Sequence, residues 1–330
     1  MAGSSSDLVR SGCRSKRRLI PLAALLLFSG RSAQPQENPL RVSVNRVSLG
    51  VTATDANGRF VEGLSRGDFR VFDNGAEQPI TDFLPVEEPA EALLLIESGP
   101  AVLFFANGHV RAADQLVASL RPDDRVAIAT YTRRPEMIVD FTADKNALRR
   151  ALASMNFVQG FAELNLFSSV STAVDSLALH PGKKTVVLLS TGLDTSPEPV
   201  WEALEPKLAV ADVRIIAVSL AGEIRKPARK RKLSEKEKLD RAELEAGFLD
   251  ADERLRKLAR TTGGRAYFVE TAGEFQSAYR EIADLLRHEY ALAFEPRVFD
   301  GRIHELRVEV NRAGIAIEHR PAYLAARPAA

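Results

Sequence analysis

Two oxygen-bearing side chains, Glu97 and Ser98, follow directly after the apolar run Ala92–Ile96. An apolar run that stops at a turn signal is typical of a strand buried on both faces of a parallel sheet. Ligands of such sheets bind just beyond the carboxyl ends of the strands. The turn Ser98-Gly99-Pro100 is therefore the first candidate for a functional loop, either as part of a cation site or as the site of a nucleophilic serine.

No catalytic motif supports an enzyme. Ser98 is not part of a G-x-S-x-G turn and has no identifiable base, and the chain contains no phosphate-binding loop and no G-x-G-x-x-G motif that opens a helix. The histidines are scattered over different predicted elements, and none forms a pair at metal-ligand spacing. They are His109, His180, His288, His304 and His319. We expect a non-catalytic protein in which each is a surface or hydrogen-bonded structural residue.

The elements that position Glu97 and Ser98 alternate between strands and helices, which indicates a mostly parallel sheet covered by helices on both faces. The patterns predict strands near 91–97, 125–131, 136–141, 184–190, 213–219 and 265–269. They predict helices near 106–120, 144–155, 165–179, 198–211, 250–261 and 273–287.

Strand patterns without helices lie on both sides of this region. Residues 40–83 alternate between polar and apolar side chains and contain the tight-turn pairs Asn57-Gly58 and Asn74-Gly75, and three further strand patterns follow Arg287. No helix is available to cover these strands, so we expect the two sets to pack together. The predicted fold is α/β, a doubly wound, Rossmann-like, six-stranded sheet inserted in a small β-sandwich of N- and C-terminal strands.

The first 33 residues read as a secretory signal. A basic stretch, Arg14–Arg18, precedes the apolar run Leu19–Phe28, and small residues suitable for cleavage follow; an uncleaved anchor is the alternative. The formal net charge of +1 includes this basic leader, and the remaining 39 basic and 43 acidic side chains give a net charge of −4. This balance does not favour nucleic acid as a partner. The single cysteine, Cys13, is lost with the leader, so the exported chain has no disulfide.

We divide the chain into a signal peptide (1–33), a linker (34–39), a β-rich segment of the sandwich (40–90), the α/β domain (91–287), strands that complete the sandwich (288–324) and a tail (325–330). A charged insertion, 221–248, interrupts the α/β domain. It opens with basic residues and continues as a short helix, which Ser234 and Glu237 begin as a capping box and Gly247 ends. The insertion is either a solvated surface segment or, over 224–241, a basic surface for an anionic partner.

Several phrases resemble the von Willebrand factor type A fold, and most of all the acidobacterial type of exported proteins related to it. They include V-T-A-T-D-A-N-G-R-F-V-E-G-L-S-R-G-D-F-R-V-F-D-N-G, L-L-L-I-E-S-G, D-D-R-V-A-I-A-T-Y, K-K-T-V-V-L-L-S-T-G-L-D and T-T-G-G-R-A-Y-F-V. The resemblance covers nearly everything after the leader. It implies an exported adhesion-type module whose partner binds at the carboxyl ends of the strands.

In that family a metal-ion-dependent adhesion site binds Mg²⁺ or Mn²⁺ through Asp-x-Ser-x-Ser, a Thr and a further Asp. Carried over to this chain, the metal-binding positions are Ile96, Ser98, Pro100, Ala162 and Thr191. Only Ser98, and more weakly Thr191, offers an oxygen, so we expect the site to be degenerate and no metal cofactor to bind. The alternative is a rebuilt cation site made of Glu97, Glu163 and Asp194; these acids are otherwise expected at solvated loop tips.

The same loops are the predicted contact surface for a protein partner. The residues predicted to form it are Glu97, Ser98, Gly99, Phe161, Glu163, Leu193 and Asp194. Phe161, Leu193 and Trp201 either add apolar contacts to this surface or belong to the core. We therefore expect a periplasmic or secreted interaction module without a membrane span after cleavage of the signal. The alternatives are an assembly role in the cell envelope, through the sandwich or the basic insertion, and a weak metal-assisted or hydrolytic activity.

Overall fold

The computed structural model describes residues 46–87, 89–103, 106–178, 184–196, 201–225 and 234–327. The predicted signal peptide and linker, His180 and most of the basic stretch of the insertion lie outside these residues. The described part of the chain opens with four strands: β1 (Val47–Thr54), β2 (Phe69–Asp73), β3 (Ala76–Gln78) and β4 (Ile80–Glu87). Asn74 and Gly75 form the tight turn between β2 and β3, with φ angles of 46° and 80°.

The α/β region follows. Its strands are β5 (Glu91–Glu97), β6 (Arg125–Tyr131), β7 (Pro135–Thr142), β8 (Thr185–Ser190), β9 (Arg214–Ser219) and β10 (Ala266–Phe268). Its helices are α1 (Pro100–Leu103), α2 (Ala106–Ser119), α3 (Lys145–Ala153), α4 (Leu166–Ala178), α5 (Trp201–Val210), α6 (Ala221–Arg225), α7 (Glu235–Thr261) and α8 (Ala272–Arg287). The chain then forms β11 (His288–Phe294), β12 (Ile303–Val310), β13 (Ala316–Glu318) and β14 (Ala322–Leu324).

The six strands of the α/β region form one sheet in the order β10-β9-β8-β5-β6-β7. Every neighbouring pair is parallel except β6 and β7, which are antiparallel. The first strand, β5, lies in the middle, with β6 on one side and β8 on the other. The strand order therefore reverses between β5 and β8, and the carboxyl ends of these two strands border the crevice where doubly wound sheets bind ligands.

Both faces of this sheet are covered, as the apolar run of β5 predicts. Leu94 and Ile96 point to one face, where they belong to the same core as residues of α2, α3 and α8. Leu93 and Leu95 point to the other face, in a core shared with α4, α5 and α7. Glu97 follows the same alternation and lies on the second face.

The N- and C-terminal strands form two antiparallel sheets, in the orders β13-β1-β11-β4 and β14-β12-β2-β3. β1 pairs with β11, and β2 with β12, so each sheet combines strands from both ends of the chain. One hydrophobic core joins the two sheets, and Phe69 of β2 contacts Phe83 of β4 and Tyr290 of β11 across it. The predicted fold class, a doubly wound sheet inserted in a β-sandwich, is confirmed.

Two details differ from the prediction. The segment Ile80–Glu87 forms strand β4, which continues through Pro85 beyond residue 83, where the predicted strand patterns end. β4 lies at the edge of its sheet. An edge strand tolerates Pro85, which has no N–H group to donate to a neighbouring strand. Gly247 does not end a short helix, because α7 runs without a break from Glu235 to Thr261. Good helix formers surround Gly247, whose cost inside a helix is only about 1 kcal/mol. The capping box of Ser234 and Glu237 is present at the start of α7.

Candidate functional site at the carboxyl edge of the sheet

Glu97 occupies the crevice between β5 and β8, and its side chain is fully buried. Its carboxylate accepts hydrogen bonds from the backbone N–H of Thr191 at 2.7 Å, the Thr191 hydroxyl at 2.8 Å and the Ser190 hydroxyl at 3.0 Å. The interpretation of Glu97 as a solvated loop tip is wrong. The crevice is filled by a carboxylate that is held by protein donors.

A second layer of hydrogen bonds holds these donors. Tyr131 donates to the Ser190 hydroxyl at 2.7 Å, and the backbone N–H of Gly192 donates to the same oxygen at 2.9 Å. With both lone pairs used, the Ser190 hydroxyl proton is directed at Glu97. Tyr131, Ser190 and Thr191 are all buried, so the network is closed within the protein.

The burial of this network changes its acid–base properties. Loss of solvent raises the pKa of the Glu97 carboxyl, and the hydrogen bonds from Thr191, Ser190 and Tyr131 offset this only in part. The pKa of Tyr131 is raised well above its ordinary value by burial and by the neighbouring carboxylate of Glu97. The tyrosine therefore acts as a neutral hydrogen-bond donor at physiological pH.

Ile96, the residue carried over to the first metal-binding position, offers no ligand to the crevice. Its side chain is buried in the hydrophobic core on the α2 and α8 face. Glu97 is the residue that faces Thr191, at the end of the neighbouring strand β8. The acidic side chain between the ends of β5 and β8 is therefore that of Glu97.

The turn after Glu97 is also buried. Ser98 is 6% exposed, and its hydroxyl donates to the carbonyl oxygen of Tyr131 at 3.1 Å. Gly99 packs so closely against Leu164 that an added Cβ atom would lie 2.6 Å from that side chain. Pro100 begins α1. Solvent does not reach the side chains of Glu97 and Ser98 or the backbone of Gly99. In this conformation the three residues therefore lie beneath the surface and support it.

The loop 154–165 covers the crevice. The N–H of Val158 donates to the carbonyl oxygen of Ser98 at 2.9 Å, and that of Asn165 to the carbonyl oxygen of Thr132 at 2.8 Å. The N–H of Leu164 donates to the Thr195 hydroxyl at 2.8 Å. The loop is thus bonded to residues that follow β5, β6 and β8.

Phe161 lies on the outside of this covering loop and is fully exposed. Two residues further on, Glu163 forms an ion pair of 3.2 Å with Arg133, whose side chain is 73% exposed. Val158 is exposed to 38%, while Ala162 between Phe161 and Glu163 is half-buried. An unshielded aromatic ring beside charged side chains is the main apolar feature of this part of the surface.

The remaining predicted contact residues have structural roles. Asp194 accepts a hydrogen bond from the N–H of Phe167 at 3.0 Å and thereby caps the start of α4. Leu193 is half-buried. Trp201 is 7% exposed and packs in the core against Phe167, so for this residue the core interpretation is the correct one.

The residues at the crevice do not fit the family's metal site. Pro100 and Ala162 bring no oxygen ligand, Oε2 of Glu97 already accepts hydrogen bonds from Ser190 and Thr191, and Thr191 brings a neutral hydroxyl in place of the second carboxylate. Glu97, Glu163 and Asp194 are held by different partners and are not drawn together. Across the part of the chain that the structure describes, no group of three potential metal-ligating acids, histidines or cysteines is present.

The sequence did not indicate a buried histidine cluster in the sandwich. His304 of β12 is 5% exposed, and its Nδ1 lies 2.7 Å from a carboxylate oxygen of Asp73 on β2. Tyr323 of β14 donates to the other oxygen of Asp73 at 3.0 Å, and Asp300 lies 3.2 Å from Nε2 of His304. Asp73 lies more than two hundred residues before the other three, so no spacing rule could have found the cluster. The cluster ties the edge of one sheet together.

The described helices include none that is both long and apolar enough to cross a membrane. No family model matches the sequence, and no curated protein is similar to it. The strand order, the helices on both faces and the crevice between β5 and β8 are those of a doubly wound α/β domain, here carried on a β-sandwich, as the resemblance to the von Willebrand factor type A fold implies.

Several solved structures show a partial likeness. An aerotolerance-related membrane protein from Bacteroides fragilis, with multiple mutations to serine, is 13% identical with a TM-score of 0.42, over 59% of this chain and 99% of that one. The conserved hypothetical protein BatB from Bacteroides thetaiotaomicron is 13% identical with a TM-score of 0.41, over 59% and 98%. A von Willebrand factor type A protein from Catenulispora acidiphila is 10% identical with a TM-score of 0.44, over 77% and 75%.

Proposed function

We propose that this chain is an exported, non-catalytic module that binds a protein partner through the loops at the carboxyl edge of its α/β sheet, without a divalent cation. The observation that carries the proposal is the fully exposed ring of Phe161 on the loop that covers the crevice. An aromatic side chain fixed on a hydrogen-bonded loop is the kind of anchor that dominates protein interfaces.

The state of the crevice supports a contact made without metal. Adhesion through a metal needs an open coordination position that the partner's carboxylate can reach. Here Glu97 is covered by protein, and hydroxyl and amide donors converge on its Oε2. A partner therefore meets Phe161, Val158 and the ion pair of Arg133 with Glu163. Export is proposed from the leader sequence alone, with the periplasm or the extracellular space as the destination.

The test is affinity capture of partners from the cell envelope of the source organism, with Phe161→Ser compared with the unchanged chain. We expect the variant to lose the captured partner and to keep its free energy of unfolding within about 0.5 kcal/mol, because the ring is fully solvated. Val298→Ser, a change of a side chain 52% exposed in the sandwich region, is the matched control. If Phe161→Ser retains the partner and Val298→Ser loses it, the partner binds the sandwich and not the loops.

Metal independence is tested by calorimetric titration of the chain with Mg²⁺ and Mn²⁺. We expect no saturable heat at micromolar concentrations, since one buried carboxylate cannot replace the charge of the two that the family's site uses. Capture of the partner should be equal with and without a chelator. Binding of Mn²⁺ at micromolar strength that disappears in Glu97→Gln would overturn this part of the proposal.

A second candidate is an assembly role through the charged insertion. In the N-terminal half of α7, Leu239 is 61% exposed and Leu244 is 55% exposed. No residue between Glu235 and Gly247 is classed as buried among the side chains that the structure describes there. A helical segment that packs so little against its own chain offers a face to another molecule. Loss of the captured partner in Leu239→Ser and Leu244→Ser, but not in Phe161→Ser, would favour this candidate.

A further inference from the structure

Three cationic side chains line one cleft at the opposite, amino end of the α/β sheet. Lys184 precedes β8, Arg214 begins β9, and Arg320 lies between β13 and β14. The cleft has a volume of about 280 Å³. Its other wall is formed by the sandwich sheet, through residues of β1, β4 and β11 that include Gly50 and Leu84.

These cations have few negatively charged partners. Arg214 donates to the Thr52 hydroxyl at 2.8 Å and to the carbonyl oxygen of Leu285 at 2.9 Å. Arg320 donates to the carbonyl oxygen of Ser48 at 2.7 Å, and the carboxylate nearest to it is that of Asp212, 3.8 Å away with a side chain 70% exposed. The Nε atoms of both arginines are buried without a hydrogen-bond partner in the described structure.

Three other buried or partly buried arginines that the structure describes are paired with a carboxylate at short range. Arg287 lies 2.9 Å from Asp124, Arg225 lies 2.8 Å from Asp252, and Arg265 lies 2.6 Å from Glu318. Buried cations are normally paired in this way, because an unpaired charge loses its hydration without compensation. Among the described residues, no carboxylate lies as close to Arg214 or Arg320 of the cleft.

The electrostatic consequence is a local excess of positive charge. Burial lowers the pKa of the Arg320 guanidinium, and Asp212 offsets this only in part. Two carboxylates, those of Asp212 and Glu289, line the cleft, and the three cationic side chains outnumber them. An anion inside the cleft would supply the missing charge and would accept hydrogen bonds from guanidinium and ammonium groups.

We propose that this cleft is a binding site for an oxyanion, the phosphate or carboxylate head group of a small ligand. Arg320 and Lys184 provide the charge that holds the head group. Leu84, whose side chain is 59% exposed at the cleft, provides an apolar surface for the rest of the ligand. The site is separate from the loops around Phe161, because it lies at the amino ends of the strands.

The proposal is tested by titrating the full chain with inorganic phosphate and, separately, with succinate, at an ionic strength held constant with sodium chloride. Binding is followed by calorimetry and by the amide resonances of Gly50 and Gly263, which line the cleft. We expect saturable shifts of these amides with at least one of the two anions. Saturation by phosphate alone assigns a phosphate head group, and saturation by succinate alone assigns a carboxylate.

Lys184→Gln is the decisive variant, because the Lys184 ammonium makes no hydrogen bond or ion pair with the described residues that its removal would break. We expect it to weaken binding about tenfold, which corresponds to about 1.4 kcal/mol. The control is Lys236→Gln, which removes the same charge near the far end of α7. By the rise of an α-helix this residue lies about 40 Å from Thr262 at the cleft, so the affinity should be unchanged.

Two results would overturn the proposal. One is that the shifts of Gly50 and Gly263 do not saturate with either anion at millimolar concentrations. The other is that Lys184→Gln binds as tightly as the unchanged chain. Arg320→Gln is a second variant that should abolish binding. Because it also removes the hydrogen bond to Ser48, its melting temperature is measured first. If this variant is unfolded, the result for Lys184→Gln decides.

Discussion

A buried carboxylate such as Glu97 is unusual because its ionised form is costly in a protein interior unless donors surround it. Here three donors from Ser190 and Thr191 converge on one of its oxygens, Oε2. The result is a carboxyl group that holds the ends of β5 and β8 together.

The pH dependence of stability tests this interpretation of Glu97. Because burial raises the folded-state pKa, the folded protein keeps the proton at pH values where the unfolded chain, with a pKa of about 4.3, has lost it. The contribution of Glu97 to the free energy of unfolding is therefore full below about pH 4.3 and declines as the pH rises through the folded-state pKa. Glu97→Gln has no proton to lose and lacks this decline.

We expect the stability of the unchanged chain, relative to Glu97→Gln, to be greater at about pH 4.5 than at about pH 7.5. Urea unfolding at the two pH values measures the difference. Glu163→Gln, which changes a surface acid in an ion pair, is the control and should differ by less than about 0.5 kcal/mol at either pH. A difference for Glu97→Gln that does not vary with pH would contradict the raised pKa.

At the scale of single elements, the strands of the α/β sheet were predicted closely from their apolar runs, and most helices from their periodicity. β5 and β6 have the predicted bounds, because such buried strands end sharply in polar or turn residues. α7 and β4 were misread because Gly and Pro carry no information about tertiary context. Gly247 lies in an exposed helical segment, and Pro85 lies on an edge strand.

The candidate site was predicted only in part. The position of the loops follows from the topology, and of the two alternatives for Phe161, contact surface or core, its full exposure agrees with the first. The burial of Glu97 could not be predicted, since it depends on the loop 154–165, which covers the crevice through hydrogen bonds between distant segments. The cluster around His304 in the sandwich could not be predicted for the same reason, because its hydrogen bond to Asp73 joins distant segments.

The role of Gly247 gives a prediction for α7. An added Cβ atom at this position meets no other atom within 4 Å, and the helix continues on both sides. Gly247→Ala should therefore stabilise the helix by about 0.5–1 kcal/mol, because alanine loses less backbone entropy. The measurement is hydrogen exchange of the amides in Glu235–Gly247, which should slow by a few-fold.

Gly192→Ala is the contrasting variant. At that position φ is +77° and an added Cβ atom would lie 2.4 Å from the carbonyl oxygen of Ala251, so we expect a loss of stability and not a gain. Unchanged or faster exchange in Gly247→Ala would show that the N-terminal half of α7 is not helical in solution.

At the scale of the whole molecule, Arg287 fastens the junction between the α/β region and the sandwich. It is the last residue of α8, and β11 begins at the next residue. Its guanidinium bonds the buried carboxylate of Asp124 at 2.9 Å and the carbonyl oxygen of Ser119. Asp124 in turn accepts the N–H of Ala90, immediately before β5. Both boundaries of the inserted domain thus meet at one ion pair.

Removal of this arginine should strongly lower the stability of the protein. Arg287→Met leaves Asp124 as a buried, uncompensated charge, and we expect a loss of about 3–5 kcal/mol in the free energy of unfolding. Urea denaturation measures the loss. The double variant Arg287→Met with Asp124→Asn should recover part of it, because no unpaired charge remains. A loss below about 1 kcal/mol for the single variant would show that solvent screens the pair.

The pairing of β1 with β11 has a consequence for how the chain acquires its shape as it is made and exported. Val51 must meet Tyr290, which leaves the ribosome more than two hundred residues later. The first strands therefore wait, without their hydrogen-bonding partners, until the whole α/β domain has emerged, and contacts so distant in sequence form slowly. We infer that the sandwich closes last, and that its early strands need protection from association with other chains in the meantime.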